Sequence, residues 1–468
     1  MITKGEIDVK SVELGVHPSN VQRDYVFGWL LSGIHHASSD LKNKLILKGG
    51  NSFRKAYFEH ARFSNDLDFS TLSEVDPILM ASEINKVCKY VSDKTGIKFA
   101  LDHNKVDLKR GADEDNKIYE AKVYFKGFYG DEHYNLKVKM DVKEFDRIFL
   151  PVQTRNIIHS YSDTAECTGQ VACHKLEELL ASKLKALLQR RHSPDLYDFI
   201  FSVFFQKILS INRLELISTF LKKTIYEPNP TVAKNLLLEL PFQTFRAIWN
   251  EYLICPKQSL IAFDDAETQF RDIIPNLFGL LPVYAFPGRG YGGGQNLDYF
   301  SASHRNIIME GGRTQKILRM VYDGLERMVE PYALSYKIRK DGVGREYFYG
   351  WDKTGGRSGV MSIKSYTQDK TQSVELTNET FTPRYPIELS RSGELFGQTY
   401  FGKPFSSKPR VSTSRIRKPN IRTSFGLTYT IQCSVCGKKF KRTSYDTKIN
   451  KHKDRFGNQC YGSFGYMV

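Results

Sequence analysis

The segment Arg62-Phe63-Ser64-Asn65-Asp66-Leu67-Asp68-Phe69 carries two aspartates two positions apart, set among apolar neighbours. On a β-strand such positions share a face, so Asp66 and Asp68 point the same way while Leu67 and Phe69 face a core. Two carboxylates side by side repel each other unless a cation lies between them. A third carboxylate fits the pattern. In Leu136-Lys137-Val138-Lys139-Met140-Asp141-Val142 the apolar residues alternate with Lys137, Lys139 and Asp141. Hard divalent ions such as magnesium bind through carboxylates and phosphate oxygens. Three carboxylates on neighbouring strands can hold two metals and clamp the attacking and leaving oxygens of a phosphoryl transfer. Asp141 would then be near enough to take a proton from the attacking hydroxyl. Upstream, Lys48-Gly49-Gly50-Asn51-Ser52 supplies a turn whose backbone N–H groups can approach a phosphate closely.

A second constellation lies near the C-terminal end. Cys433-x2-Cys436-x15-His452-x7-Cys460 offers four soft or borderline ligands, the number tetrahedral zinc requires. Gly437 suits a metal knuckle, and Phe440 would plug a module too small to fold without metal. The gap before Cys460 is longer than usual finger spacing. The surrounding Lys438, Lys439, Lys441 and Arg442 favour phosphate contacts over protein ones. Cys88, Cys167, Cys173 and Cys255 are expected as buried thiols.

These residues need elements to position them. Val21 to Asn43 has helical spacing at Val26, Trp29, Leu30 and Ile34. Short strands are expected at Leu45–Leu47 and Asp66–Phe69, a helix at Pro77–Val91, and longer strands at Ile118–Phe125 and His133–Phe145. A helical stretch follows from Lys175 to about residue 250, broken near Pro194 and Pro228. The fold class expected for residues 1–285 is thus mixed α/β (α+β), with a sheet part at about 20–150 and a helical part at about 170–285. The Gly-rich stretch within 286–300 reads as a linker. Arg313 to Met328 reads as one helix, and the aromatic and β-branched runs from Tyr332 to Leu376 as a small antiparallel barrel within a domain at 301–400. A basic linker at 401–427 and the cysteine module at 428–468 complete the order.

The chain has 468 residues, 41% of them hydrophobic and 13% aromatic, which is globular composition. Its net charge is +16. From Lys403 to Val468 fifteen Lys and Arg oppose only Asp446 and Asp454, so +13 of that excess lies in the last segment. Such a segment attracts polyanions, nucleic acid first. No apolar run reaches the ~18 residues a membrane span needs, and no signal pattern opens the chain. A cytoplasmic protein without a membrane partner is expected, and its seven cysteines argue against a disulfide framework.

The run from Lys48-Gly49-Gly50-Asn51-Ser52 through Arg62-x-Ser64-x-Asp66-Leu67-Asp68 resembles the AbiEii nucleotidyltransferase toxins, relatives of the MenT toxins within the polymerase β-like superfamily. The resemblance extends over roughly residues 20–210. It includes Glu178, Lys183, Arg190, Asp195 and Asp198, similar to the family's Glu…Lys…Arg…Arg-Asp-x-x-Asp helix motif. It implies that Lys183 contacts a nucleoside triphosphate and that Asp195 orients it or positions the helix, with Arg190 among the nucleotide contacts. Two residues depart from the family pattern: Pro194 stands where Arg is common, and Asn51 where Thr or Ser is usual. Ser193-Pro194-Asp195 also fits a plain helix start.

Arg345-Glu346-Tyr347-Phe348-Tyr349-Gly350-Trp351-Asp352 and Ile363-Lys364-Ser365-Tyr366 look like a WYL-type domain, an SH3-like barrel in its relatives, although the Trp-Tyr-Leu triplet is missing. Arg345, Lys364 and Tyr366 are the expected nucleic-acid contacts there, with aromatic faces for bases and cations for phosphates. The resemblances together imply a toxin or defence effector that uses magnesium and an NTP to transfer a nucleotide to an RNA hydroxyl, a tRNA 3′ end being the first acceptor. Zinc would sit in the last module, and an antitoxin would be the partner. Two alternatives stand beside it. One is a catalytically silent regulator that binds DNA through residues 300–468. The other is an enzyme that modifies a protein hydroxyl.

Overall fold

The computed structural model describes residues 2–109, 111, 117–128, 135–282, 298–338, 344–389, 429–433, 436, 438–442, 448–453, 459–460 and 465–467. The chain forms two compact units, Met1–Ser406 and Ser407–Val468. The expected linker at 401–427 lies outside the described residues, as does that at 286–300 apart from residues 298–300.

The N-terminal half begins with α1 (Lys4–Leu14), α2 (Pro18–Ala37) and α3 (Ser39–Lys44). The single helix expected over 21–43 is divided at Ser38. Its hydroxyl accepts the Leu41 N–H at 3.1 Å and donates to Glu83 at 2.7 Å, so α3 starts afresh. Helix α2 is buried on all sides, including Val21, Tyr25, Phe27 and Trp29. Next come β1 (Ile46–Lys48), the short α4 (Gly49–Ser52) and β2 (Asp66–Ser70). Helix α5 (Pro77–Thr95) is capped by Asp76, which accepts from the N–H groups of Ile78 and Leu79, and ends at Gly96 in the left-handed region. Strands β3 (Lys105–Lys109), β4 (Ile118–Lys126), β5 (Asn135–Lys143), β6 (Gln153–Asn156) and β7 (Gln170–Cys173) complete a seven-stranded mixed sheet in the order β3-β4-β5-β2-β1-β7-β6.

The helical part contains α6 (Leu176–Gln189), α7 (Ser193–Ile200), α8 (Arg213–Lys223), α9 (Pro230–Leu238), α10 (Phe242–Tyr252) and α11 (Phe263–Gly279). One continuous apolar core joins it to the sheet. Pro194 and Pro230 both sit in first turns, where their missing N–H costs nothing. No helix among the described residues is long and apolar enough to cross a membrane.

The same unit continues through α12 (Ala302–Thr314) into β8 (Lys316–Tyr322), β9 (Leu325–Ile338), β10 (Gly344–Asp352), β11 (Ser362–Tyr366) and β12 (Thr371–Thr380). The small barrel expected there takes the form of a five-stranded antiparallel sheet ordered β11-β10-β9-β8-β12. The helix expected over 313–328 is wrong. Helix α12 stops at Thr314, Gln315 adopts a left-handed backbone, and a hairpin follows. Asp323 and Gly324 both have positive φ, 52° and 73°, between the paired Tyr322 and Leu325. Asp-Gly in a two-residue hairpin loop favours that geometry, and the signal outweighs the helical periodicity.

The second unit holds β13 (Tyr429–Cys433), β14 (Lys439–Arg442), β15 (His452–Lys453), β16 (Gln459–Cys460) and β17 (Gly465–Met467). They form a three-stranded sheet, β14-β13-β17, and a β15–β16 pair.

Candidate active site

Strands β2 and β5 pair in parallel, with Asp66 opposite Lys139 and Asp68 opposite Asp141. Residues paired in register project from the same face. Asp66, Asp68 and Asp141 therefore converge, and one carboxylate oxygen from each lies within 4.8 Å of the others. Leu67 and Phe69 are buried on the opposite face. The register continues outward: Lys48 opposes Asp68, Glu120 opposes Asp141, and Asp107 opposes Glu120. Five strands thus carry a charged row through the site.

Gly49 and Gly50 make room for this row. A β-carbon on Gly49, whose φ is +71°, would come within 2.0 Å of Asp68 Oδ2. One on Gly50 would meet Ser64 Oγ at 2.7 Å and Arg62 Nη2 at 2.8 Å. The side chains of Asn51 and Ser52, expected among the nucleotide contacts, are turned inward. Both are fully buried. Asn51 Nδ2 donates to the Asp66 carbonyl at 2.5 Å, and Ser52 Oγ donates to the Gly49 carbonyl at 2.7 Å. They hold the glycine turn against the strand that bears the aspartates.

The site is short of positive charge. Burial, then Asp66, then Asp141 push the Asp68 carboxyl up to about 7, with Lys48 and Arg190 opposing. Burial also raises Asp141, although Lys109 Nζ lies 2.6 Å from its Oδ2 and works against the shift. Asp141 Oδ1 is buried without a hydrogen-bond partner. Lys109 comes from the edge strand β3, which the sequence reading did not recognise. The alternation in Lys105-Val106-Asp107-Leu108-Lys109 was the signal for it.

Behind the site, α6 and α7 form a buried ionic network. Lys183 Nζ lies 3.0 Å from Asp195 Oδ1 and 2.8 Å from Asp198 Oδ2. Arg190 donates twice to Asp195, both at 2.8 Å. Arg62 grips Asp198 with two bonds of 2.7 and 2.8 Å. Burial alone would raise Asp195, but Arg190 and Lys183 hold it well below the usual carboxylate range. Lys183, expected on the triphosphate, is committed to these two carboxylates with a side chain only 7% exposed. Asp195 is in the first turn of α7 and pairs with cations there instead of capping the helix. Arg190 is 45% exposed and its charge reaches Asp66 and Asp68, so it is the cation of this network that faces the trio.

A further group of cations was not foreseen. Lys48 and Lys143 share Asp146 at 2.7 and 2.9 Å, and Ser70 Oγ donates to the same carboxylate at 2.6 Å. Lys223 pairs with Glu178. Lys185, half-buried on α6, is pulled down to about 7 by burial, then by Lys143 and Lys223. Two carboxylates serve four lysines here, beside Asp68. In sequence these lysines are scattered over β1, β5, α6 and α8, so no spacing reveals them.

The expected nucleic-acid contacts of the five-stranded sheet are mostly engaged. Tyr366 is 2% exposed, packed edge-on to Tyr322, and belongs to the core; it cannot stack on a base. Arg345 pairs with Asp298 and Asp369, and Lys364 donates to the Gly355 carbonyl. In the second unit Lys438 and Lys439 are exposed, while the side chains of Lys441 and Arg442 lie outside the described residues. There the ligand atoms of Cys433, Cys436, His452 and Cys460 converge within 4.8 Å. Cys88, Cys167, Cys173 and Cys255 are buried thiols.

Residues 30–253 match the family model for the nucleotidyl transferase AbiEii toxin of type IV toxin–antitoxin systems. No curated protein matches the chain. Among solved structures, MenT4, a nucleotidyltransferase toxin from Mycobacterium tuberculosis H37Rv, is 14% identical; the match covers 60% of this chain and 91% of MenT4, with a TM-score of 0.36. JHP933 from Helicobacter pylori is also 14% identical, with 56% and 94% covered and a TM-score of 0.34. Residues 30–253, a little under half of the chain, thus form a domain of the AbiEii nucleotidyltransferase toxin type.

Proposed function

We propose that this nucleotidyltransferase uses magnesium to transfer a nucleotide from an NTP to an RNA hydroxyl, a tRNA 3′ end being the first acceptor to test. The observation that carries it is the convergence of Asp66, Asp68 and Asp141, with Asp141 Oδ1 buried and unpartnered. The donor set fits a hard divalent ion: all three are carboxylates, raised or crowded for want of positive charge. Those three side chains would hold it, and the bound ion would neutralise charge at the attacking and leaving oxygens.

The remaining work falls to the chain. Lys48, Lys143, Lys185 and Lys223 receive the triphosphate, since their charge exceeds that of Asp146 and Glu178. A polyanion there also favours the charged form of Lys185, which burial and the neighbouring lysines disfavour. Arg190, anchored by Asp195 and with its charge felt at Asp68, would contact the phosphates. Lys183 acts as a positioning residue that ties α6 to α7. The acceptor hydroxyl loses its proton to the Asp141 carboxylate as its oxygen bonds to the α-phosphorus. The bond from that phosphorus to the β-bridging oxygen breaks, and pyrophosphate leaves. A cognate antitoxin partner and a cytoplasmic setting belong to the same reading.

The test is incubation of the purified chain with α-labelled NTPs, magnesium, cellular RNA and cellular protein. Label should enter RNA and vanish with Asp68→Ala. Label in protein alone would assign a protein acceptor. Incorporation unchanged in Asp68→Ala would reject the site.

A further inference from the structure

We infer that Cys433, Cys436, His452 and Cys460 bind a single zinc ion that is the structural centre of the second unit. Each of two hairpin-like elements presents two ligands. Cys433 ends β13, and Cys436 sits three residues on, in the turn towards β14, where the Cys433 N–H bonds to the Lys438 carbonyl at 2.9 Å. His452 and Cys460 are direct partners in the β15–β16 ladder. The pairing of β15 with β16 therefore brings the fourth ligand opposite the third despite the long spacing in sequence.

The distances match one tetrahedral ion. Cys433 Sγ and Cys460 Sγ are 3.8 Å apart, and Cys436 Sγ is 3.2 Å from His452 Nε2. Zinc–thiolate bonds of about 2.3 Å in tetrahedral geometry imply a sulfur–sulfur edge of about 3.8 Å. A disulfide would need roughly 2.05 Å. The ring of His452 is oriented as a ligand requires: Nδ1 donates to the Asn450 carbonyl at 2.9 Å, which leaves the Nε2 lone pair facing the thiols. Phe440 stacks edge-on against that ring at 5.0 Å.

The core shows where the ion acts. Among the described residues it consists of Ile431, Cys433, Ile449 and Cys460, with Cys436 and Phe440 packed against it. Half of these side chains are the proposed ligands. Ligands and apolar side chains thus share one small core among the described residues, where a bound metal adds folding energy. Four protein ligands complete the coordination and leave no open position for water, which makes the site structural and not catalytic.

The test uses the full-length chain. Metal analysis should find a single equivalent of zinc, retained in Asp68→Asn and lost in Cys433→Ser and Cys460→Ser. His452→Cys, which keeps four ligands, should retain the metal. Cobalt exchanged for zinc should show thiolate-to-metal charge transfer and tetrahedral absorption, which carboxylates cannot produce. Zinc content unaffected by the cysteine substitutions, or a cobalt form without thiolate bands, overturns the inference. Neither result bears on the carboxylate trio, since nucleotidyl transfer is read separately.

Discussion

Asp68 Oδ2 occupies the space a β-carbon at residue 49 would need, 2.0 Å from its ideal position. Gly49→Ala must therefore displace that carboxylate or the strand beneath it. The left-handed backbone at residue 49 adds about 1–3 kcal/mol of strain. Nucleotide transfer should fall about 100-fold or more, as expected for a misplaced reacting group. A steady-state rate close to that of the unmodified enzyme would show that Asp68 needs no such closeness.

Lys183 and Lys185 lie two positions apart on α6 and should fail differently. Lys183→Met removes the cation shared by Asp195 and Asp198, which keep Arg190 and Arg62, and should cost roughly 1.5–3 kcal/mol of stability. Lys185→Met removes a cation whose charged form burial disfavours, so thermal stability should hold. Its kcat/KM for the triphosphate should drop about 10- to 100-fold, the loss of one charged hydrogen bond. Thermal melts and NTP titrations separate the two outcomes. A reversed pattern would return the triphosphate to Lys183.

The pH dependence of the metal-free chain follows from Asp68. Its folded value, about 7, is above the ordinary 3.8. The folded state thus holds a proton the unfolded chain gives up. That contribution is fully present below about pH 4 and is lost as pH rises through 7. In chelator, Asp68→Asn should be more heat-stable than the parent at pH 8 and gain little at pH 4. Magnesium should stabilise the parent more at pH 8 than at pH 5, because protons compete with it. Melting curves with and without magnesium check both.

Arg305 connects the five-stranded sheet to α6. From α12 it bonds to the Leu188 carbonyl in the last turn of α6, to Glu346 and to Tyr336. Both members of the Arg305–Glu346 pair are almost wholly buried. Arg305→Met should cost about 3–5 kcal/mol, by stranding Glu346. It should also lower kcat, because the end of α6 carries Arg190. The double variant Arg305→Met/Glu346→Gln should recover much of the stability. If kcat stays at the parent level while stability drops, the sheet does not support the site.

Local chemistry made part of this protein readable from its residues. Asp66 and Asp68 share a face because strand periodicity says so, and Asp141 announces itself by alternation with Val138, Met140 and Val142. Asp76-Pro77 starts a helix, and the four ligands near the C-terminal end declare their chemistry by type and spacing. Each of these is a property of a few neighbouring residues. Asp323-Gly324 is equally local, and its turn preference outweighs the helical repeat around it. The rest depended on which strands and helices become neighbours. Asp68 meets Asp141 only because β2 pairs with β5 in one register, and Lys109 arrives from two strands away. Tyr366 in a core and Tyr366 on a surface have the same sequence, as do a paired Lys183 and an unpaired Lys185. Charge and burial are settled by partners distant along the chain, and only the folded arrangement says which partners those are.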